Sequence, residues 1–168
     1  MHRREVHPGR WAVLEFDPQR RFRCVEECTW CCHHGVMLYE RDVFELADHD
    51  DLSAATEQIG GQSFVEREPK DRETHVAEDG CACRYLRDDG LCTLQLSGET
   101  DWKPVRCRVF PLAVERDGEV LRVSLREEAE DHCEGLDVGD PIDDHLADLL
   151  PAALWDLDDP DTHRELDL

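Results

Sequence analysis

The sequence predicts a small α+β protein whose loops are pinned by bound metal. Three observations lead there. Nine cysteines fall mostly in two groups, short apolar runs flank two Asp-Gly turn signals, and two stretches carry apolar residues at helical spacing. The length of 168 residues favours one domain, spanning 1–168, with a core over 22–140 and an acidic helical tail over 141–168. A chain of this size can bury a core of its own, so cross-links are not needed merely because it is small.

In chain order, WAVLEF (11–16) reads as a strand, and CVEECTWCCHHG (24–35) is a cysteine loop closed by Gly35. VML at 36–38 is a short strand. Tyr39 to His49 form a helix, because Val43, Phe44, Leu46 and Ala47 recur near the helical period. The polar stretch 50–80 holds a short helix around Ala54–Ile59, then strand-like segments at 63–67 and 73–77. CACRYL and LCTLQL flank Asp89-Gly90 as a hairpin, whose second arm can also begin a short helix ending at Ser97-Gly98. LAVERDGEVLRVSL is the best hairpin in the chain, with alternating arms around Asp117-Gly118. DHCEGLDVGD is a loop. From Pro141, IDDHLADLLPAALWDL is an amphipathic helix with a break or kink at Pro151.

Asp and Glu number 41 against 19 Lys and Arg, a formal net charge of −22. The only lysines are Lys70 and Lys103. Acids run from Glu5 to Asp167, yet 40% of residues are hydrophobic. Such a surface suits a salt-rich, halophilic cytoplasm, where ions screen its self-repulsion. No basic stripe exists to meet phosphates, which disfavours nucleic acid and anionic membranes as partners. The N-terminal MHRREVHPGRWAVLEF has basic residues but no apolar run after them, unlike a secretory signal. No window approaches the roughly 18 consecutive apolar residues of a membrane span. The expected location is cytoplasmic.

A reducing cytosol and an odd cysteine count both argue against structural disulfides. Cys24, Cys28, Cys31 and Cys32 sit within one short loop. Cys81, Cys83, Cys92 and Cys107 follow, and Cys133 stands apart beside His132. Clustered thiolates wrap a metal without ordering much chain. They suit zinc or an iron–sulfur cluster, whereas magnesium and calcium are excluded by ligand softness. Adjacent side chains in extended chain point to opposite faces, so Cys31 and Cys32 face different surroundings, while Cys81 and Cys83 share a face. Nine thiols can supply two four-ligand sites, or one cluster and one zinc. The competing explanation is packing, since cysteine is among the residues most often buried; Cys133 is most open to it. His33, His34 and His132 adjoin cysteines but are not taken as ligands.

The pattern C…C-x-x-C-C, C-x-x-L…G-x-C, P-x-x-C-R-x-F-P and C-x-G-L resembles the CxxCxxCC cysteine-cluster family, the YkgJ-like zinc- or iron-chelating domain proteins, also called Fe–S oxidoreductases. The matching positions are Cys28, Cys31 and Cys32; Cys83 and Cys92; Pro104, Cys107, Arg108, Phe110 and Pro111; and Cys133 with Gly135. Several separated motifs in order are more specific than a lone C-x-x-C. The chain departs from the family in its Cys24-x3-Cys28 spacing, in Lys103 before the proline, and in Leu94 after the hairpin cysteine. The resemblance implies a cofactor that is zinc or an iron–sulfur cluster, such as 4Fe-4S. It also places Arg108 beside the thiolates, where it would offset their charge and donate hydrogen bonds to sulfur.

Two functions follow. One is a metal-cluster protein with a redox or electron-transfer role and a protein redox partner. The other is a zinc-stabilised, non-catalytic interaction module. A weaker third is a thiol enzyme or metal-transfer protein using Cys133 or Cys24. No phosphate-binding loop, H-E-x-x-H or Ser–His–Asp set is recognisable, and no reaction can be assigned. The charge excess yields a direct test: thermal stability should fall as salt is lowered from molar to millimolar. Equal melting temperatures at both ends would contradict salt adaptation.

Overall fold

The computed structural model describes residues 1–24, 36–71, 78–88, 92–96, 103–157 and 160. Helices and short, mostly antiparallel strands alternate along the chain, an α+β protein as the sequence predicts. Two compact units form. One takes residues 1–24 with 108–168, and the other takes residues 25–107, inserted between them in sequence.

The discontinuous unit is built on a four-stranded mixed sheet. Strand β1 (His2–His7) pairs antiparallel with β2 (Arg10–Leu14) through a turn at Gly9, whose φ of +71° suits a residue without a Cβ. β2 then runs parallel to β9 (Val120–Leu125), and β9 pairs antiparallel with β8 (Leu112–Asp117). The β8–β9 hairpin turns at Gly118, as its Asp-Gly signal predicts. Strand β1 was not foreseen. HRREVH lacks an apolar alternation, although Pro8-Gly9 supplied the turn signal.

The segment predicted as one amphipathic helix from Pro141 is three short turns instead. These are a 3-10 turn at Ile142–His145, a helical turn at Leu146–Leu149 and a second 3-10 turn at Ala152–Asp156, with the break at Pro151. Its apolar residues Ile142, Leu146, Leu149, Leu150, Leu154 and Trp155 are buried. Polar ties to the sheet substitute for helix length. Trp155 donates its indole N–H to the Trp11 carbonyl at 3.1 Å, His7 Nε2 lies 2.7 Å from the Leu150 carbonyl, and Arg4 forks onto Asp143 at 2.8 and 3.0 Å.

In the same unit, β3 (Arg21–Phe22) pairs with β10 (Asp140–Pro141), and α5 (Glu127–His132) precedes Cys133. Arg23 N–H donates to the Gly135 carbonyl at 3.0 Å. A Cβ on Gly135 would stand 2.0 Å from the Arg23 carbonyl oxygen, so only glycine fits this crossing. That close approach is a physical reason for glycine two residues after Cys133.

In the inserted unit, α1 (Glu40–Ala47) matches the predicted helix. The helix expected around Ala54–Ile59 is corrected. α2 ends at Ala55, and Thr56–Ile59 is strand β4, paired with β5 (Gln62–Val65) around Gly60 and Gly61. Both glycines have positive φ, so Gly60-Gly61 makes a hairpin turn that competes successfully with helical spacing. β6 (Arg67–Pro69) pairs with β7 (Cys81–Cys83), while Leu86 bridges Cys92 just before α3 (Thr93–Leu96). The last element is the start of α4 (Val105–Val109). Leu38, Leu46, Ala55, Val65, Tyr85 and Leu94 form the core of this unit. The expected strand at 73–77, the Asp89-Gly90 turn and Ser97-Gly98 lie outside the described residues. Among the described residues, no helix is long and apolar enough to cross a membrane.

Candidate metal centre

Four of the nine cysteines belong to described parts of the inserted unit. β7 brings two of them into line: Ala82 is fully buried, while Cys81 and Cys83 lie half-buried on the opposite face, as strand alternation requires. Cys92 is brought beside this strand by local backbone bonds. Leu86 N–H donates to the Cys83 carbonyl at 3.0 Å and Thr93 N–H to the Tyr85 carbonyl at 2.8 Å. Cys83 and Cys92 therefore both pack against the same apolar cluster. Cys107 is carried by α4, whose Val105 and Val109 are buried one turn apart while Cys107 is exposed.

Side-chain clamps hold this region. The Lys70 ammonium has three donors and meets three acceptors: Glu68 Oε1 at 2.8 Å, the Leu86 carbonyl at 3.1 Å and the Arg84 carbonyl at 3.2 Å. Arg84 and Tyr85 both reach Asp50 Oδ2, at 3.1 and 3.0 Å. The residues just after Cys83 are thus tied to β6 and to the turn that follows α1. Burial raises the Tyr85 hydroxyl above its ordinary value, and its bond to Asp50 adds to this.

A second clamp lies where α1 meets the start of α4. Asp42, only 1% exposed, accepts the Tyr39 N–H at 3.0 Å on one oxygen and the Val105 N–H at 3.1 Å on the other. It joins the first turn of α1 to the first turn of the cysteine-bearing α4. Arg106 adds to the tie, its guanidinium lying 5.5 Å from the Tyr39 ring centroid. Lys70 had a compositional signal, being one of two lysines in an arginine-based chain. Asp42 had only its place three residues after the start of a helix.

In the other unit, Cys24 follows Arg23 and Cys133 precedes Gly135 by two residues. The Arg23–Gly135 hydrogen bond therefore brings these two chain segments together. Cys24 is exposed and Cys133 half-buried. Arg108 is half-buried and begins this unit. Cys28, Cys31, Cys32, His33 and His34 lie outside the described residues, as does the expected meeting of their loop with 81–107.

Among the described residues, no three His, Cys, Asp or Glu side chains gather as a metal-holding group. The donor chemistry nevertheless fits a soft metal, because every cysteine of the β7 region offers sulfur. One orphaned atom fits as well. Arg67 stands directly opposite Cys83 in the β6–β7 ladder, and its Nε is buried without a hydrogen-bond partner. An unmet guanidinium donor on a cysteine-bearing face suits a negatively charged sulfur centre.

No family profile, curated protein or solved structure matches the chain.

Asp42 also gives the fold a pH signature. Burial pushes its carboxyl from the ordinary 3.8 up to about 6, against the opposing pull of two N–H donors and the Arg41 and Arg106 charges. The folded protein therefore keeps a proton that the unfolded chain loses between those values. The resulting stabilisation is full below the window and is lost as pH rises through it, by about 3 kcal/mol at roughly 1.4 kcal/mol per unit. In urea titrations from pH 4 to 7, Asp42→Asn should remove this decline. A constant stability difference between the two proteins across that range would refute the assignment.

Proposed function

We propose that this protein binds metal through cysteine thiolates, holding zinc or an iron–sulfur cluster, and serves a redox or electron-transfer role with a protein partner in the cytoplasm. One observation carries the reading: none of the six described cysteines is buried. Cysteines used as small hydrophobes belong in the core, where this residue type is most often found. Here Cys81, Cys83, Cys92 and Cys133 are half-buried, Cys24 and Cys107 are exposed, and no disulfide joins one described cysteine to another. The resemblance to the cysteine-cluster family supports the same reading.

Cys81, Cys83, Cys92 and Cys107 would supply thiolates from the inserted unit, with Cys28, Cys31 and Cys32 completing the set. Cys24 and Cys133 would serve as a further pair, and Arg108 would offset thiolate charge. A bound iron–sulfur cluster supplies one-electron chemistry, whereas zinc supplies a rigid tetrahedral cross-link. The chain's own part is to hold sulfur at fixed spacing. Lys70 and Asp50 would do so by tying the chain just after Cys83, and Asp42 by tying the chain two residues before Cys107.

Iron, zinc and acid-labile sulfide should be measured in protein purified without oxygen in molar salt. Iron with matching sulfide supports the redox role; stoichiometric zinc supports the second reading, a zinc-stabilised interaction module. Cys107→Ser should lower metal content and melting temperature together, because metal binding to the native state is coupled to folding. Metal-free protein whose stability is indifferent to chelators would refute the proposal.

A further inference from the structure

The β6–β7 ladder places Arg67 opposite Cys83 and Pro69 opposite Cys81. Directly opposed residues of an antiparallel pair project from the same face, so Arg67 shares its face with both cysteines. Its guanidinium is held from one side. Nη2 donates to Asp79 Oδ1 at 2.7 Å, and the same oxygen accepts the Cys81 N–H at 2.9 Å. Asp79 therefore ties the guanidinium to the start of β7. The remaining edge is not satisfied: Nε is buried and has no partner, while the side chain as a whole is 21% exposed.

Leaving a buried charged donor unmet is costly, and native proteins rarely do it without a reason. A plain surface arginine would turn Nε to water. Here Asp79 holds Nη2 beside the Cys81 N–H, at the start of the cysteine-bearing strand. The missing acceptor should be anionic, reached from that face, and able to take one N–H. A metal-bound thiolate or sulfide sulfur meets those conditions, and donors of this kind tune such centres.

We propose that Arg67 Nε–H is a built-in hydrogen-bond donor to metal-bound sulfur at the Cys81–Cys83 face of β7. This rests on the metal-binding reading above and adds a residue that sets the electronic character of the centre. Arg67 is a positioning and tuning residue rather than a ligand. Lysine cannot replace it, because an ammonium on a flexible stem does not present the same fixed fork.

Two measurements on the full chain test it. With cobalt(II) as the probe metal, a hydrogen bond to sulfur lowers the energy of the sulfur lone pair and raises the thiolate-to-cobalt charge-transfer energy. Arg67→Lys and Arg67→Gln should both move that band to longer wavelength, while the d–d bands keep their tetrahedral intensity. A merely structural role would change the d–d bands or the uptake of cobalt, not the charge-transfer energy alone. The second measurement needs no variant to fold. In wild-type protein loaded with cadmium-113, the Arg67 Hε resonance should exchange slowly with water and show coupling to cadmium across the hydrogen bond.

A charge-transfer band that stays at the wild-type position in cobalt-loaded variants would overturn the proposal. So would an Arg67→Lys spectrum matching wild type, or an uncoupled, fast-exchanging Hε. Those outcomes leave metal binding by the chain standing. Wild-type protein that takes up neither metal and is isolated without iron or zinc overturns the metal reading and this inference with it.

Discussion

The β6–β7 ladder is the constraint on which the cysteine region depends. It is only three residues long in each strand, yet it fixes which face Cys81 and Cys83 present and which residue stands across from them. Two short strands are marginal alone in water. This pair is held by what surrounds it. The Lys70 N–H continues the ladder to the Gly80 carbonyl, and Ala82 is fully buried. The Lys70 ammonium then draws in the Arg84 and Leu86 carbonyls, which sets the course of the chain from Cys83 toward Cys92.

The same economy recurs elsewhere. α3 and α4 are four and five residues long, too short to persist on their own hydrogen bonds. α4 begins on a carboxylate, Asp42, whose burial is tolerated because two backbone N–H groups meet it. In the other unit, the turns after Pro141 depend on Trp155, His7 and Arg4 rather than on helical length. A protein with a net charge of −22 has many exposed acids, and exposed ion pairs contribute little each. The clamps that matter are the part-buried ones, and several of them border cysteines.

What the sequence revealed follows from the range of the interactions involved. The β8–β9 hairpin was readable because alternation and its Asp-Gly turn are local signals. α1 was readable from its apolar spacing, and the shared face of Cys81 and Cys83 from the period of a strand. The helix placed at Ala54–Ile59 failed because two positive-φ glycines redirect the chain at its end. The parallel pairing of β2 with β9 joins residues more than a hundred positions apart, and no local pattern encodes it. The contacts that shape the candidate centre are also non-local. Asp42 meets Val105, Lys70 meets Leu86, and Arg67 faces Cys83 only once the ladder forms. Cysteine spacing thus raised the expectation of metal, while the non-local contacts around those cysteines emerged only from the fold.

Thiolate ligation of a metal by this chain, as proposed, can be tested directly. X-ray absorption fine structure at the metal edge counts the scatterers around the bound ion directly. Cysteine ligation predicts a first shell dominated by sulfur at about 2.3 Å, joined by a metal–metal shell if the group is an iron–sulfur cluster. A first shell of oxygen and nitrogen, without sulfur, would contradict it.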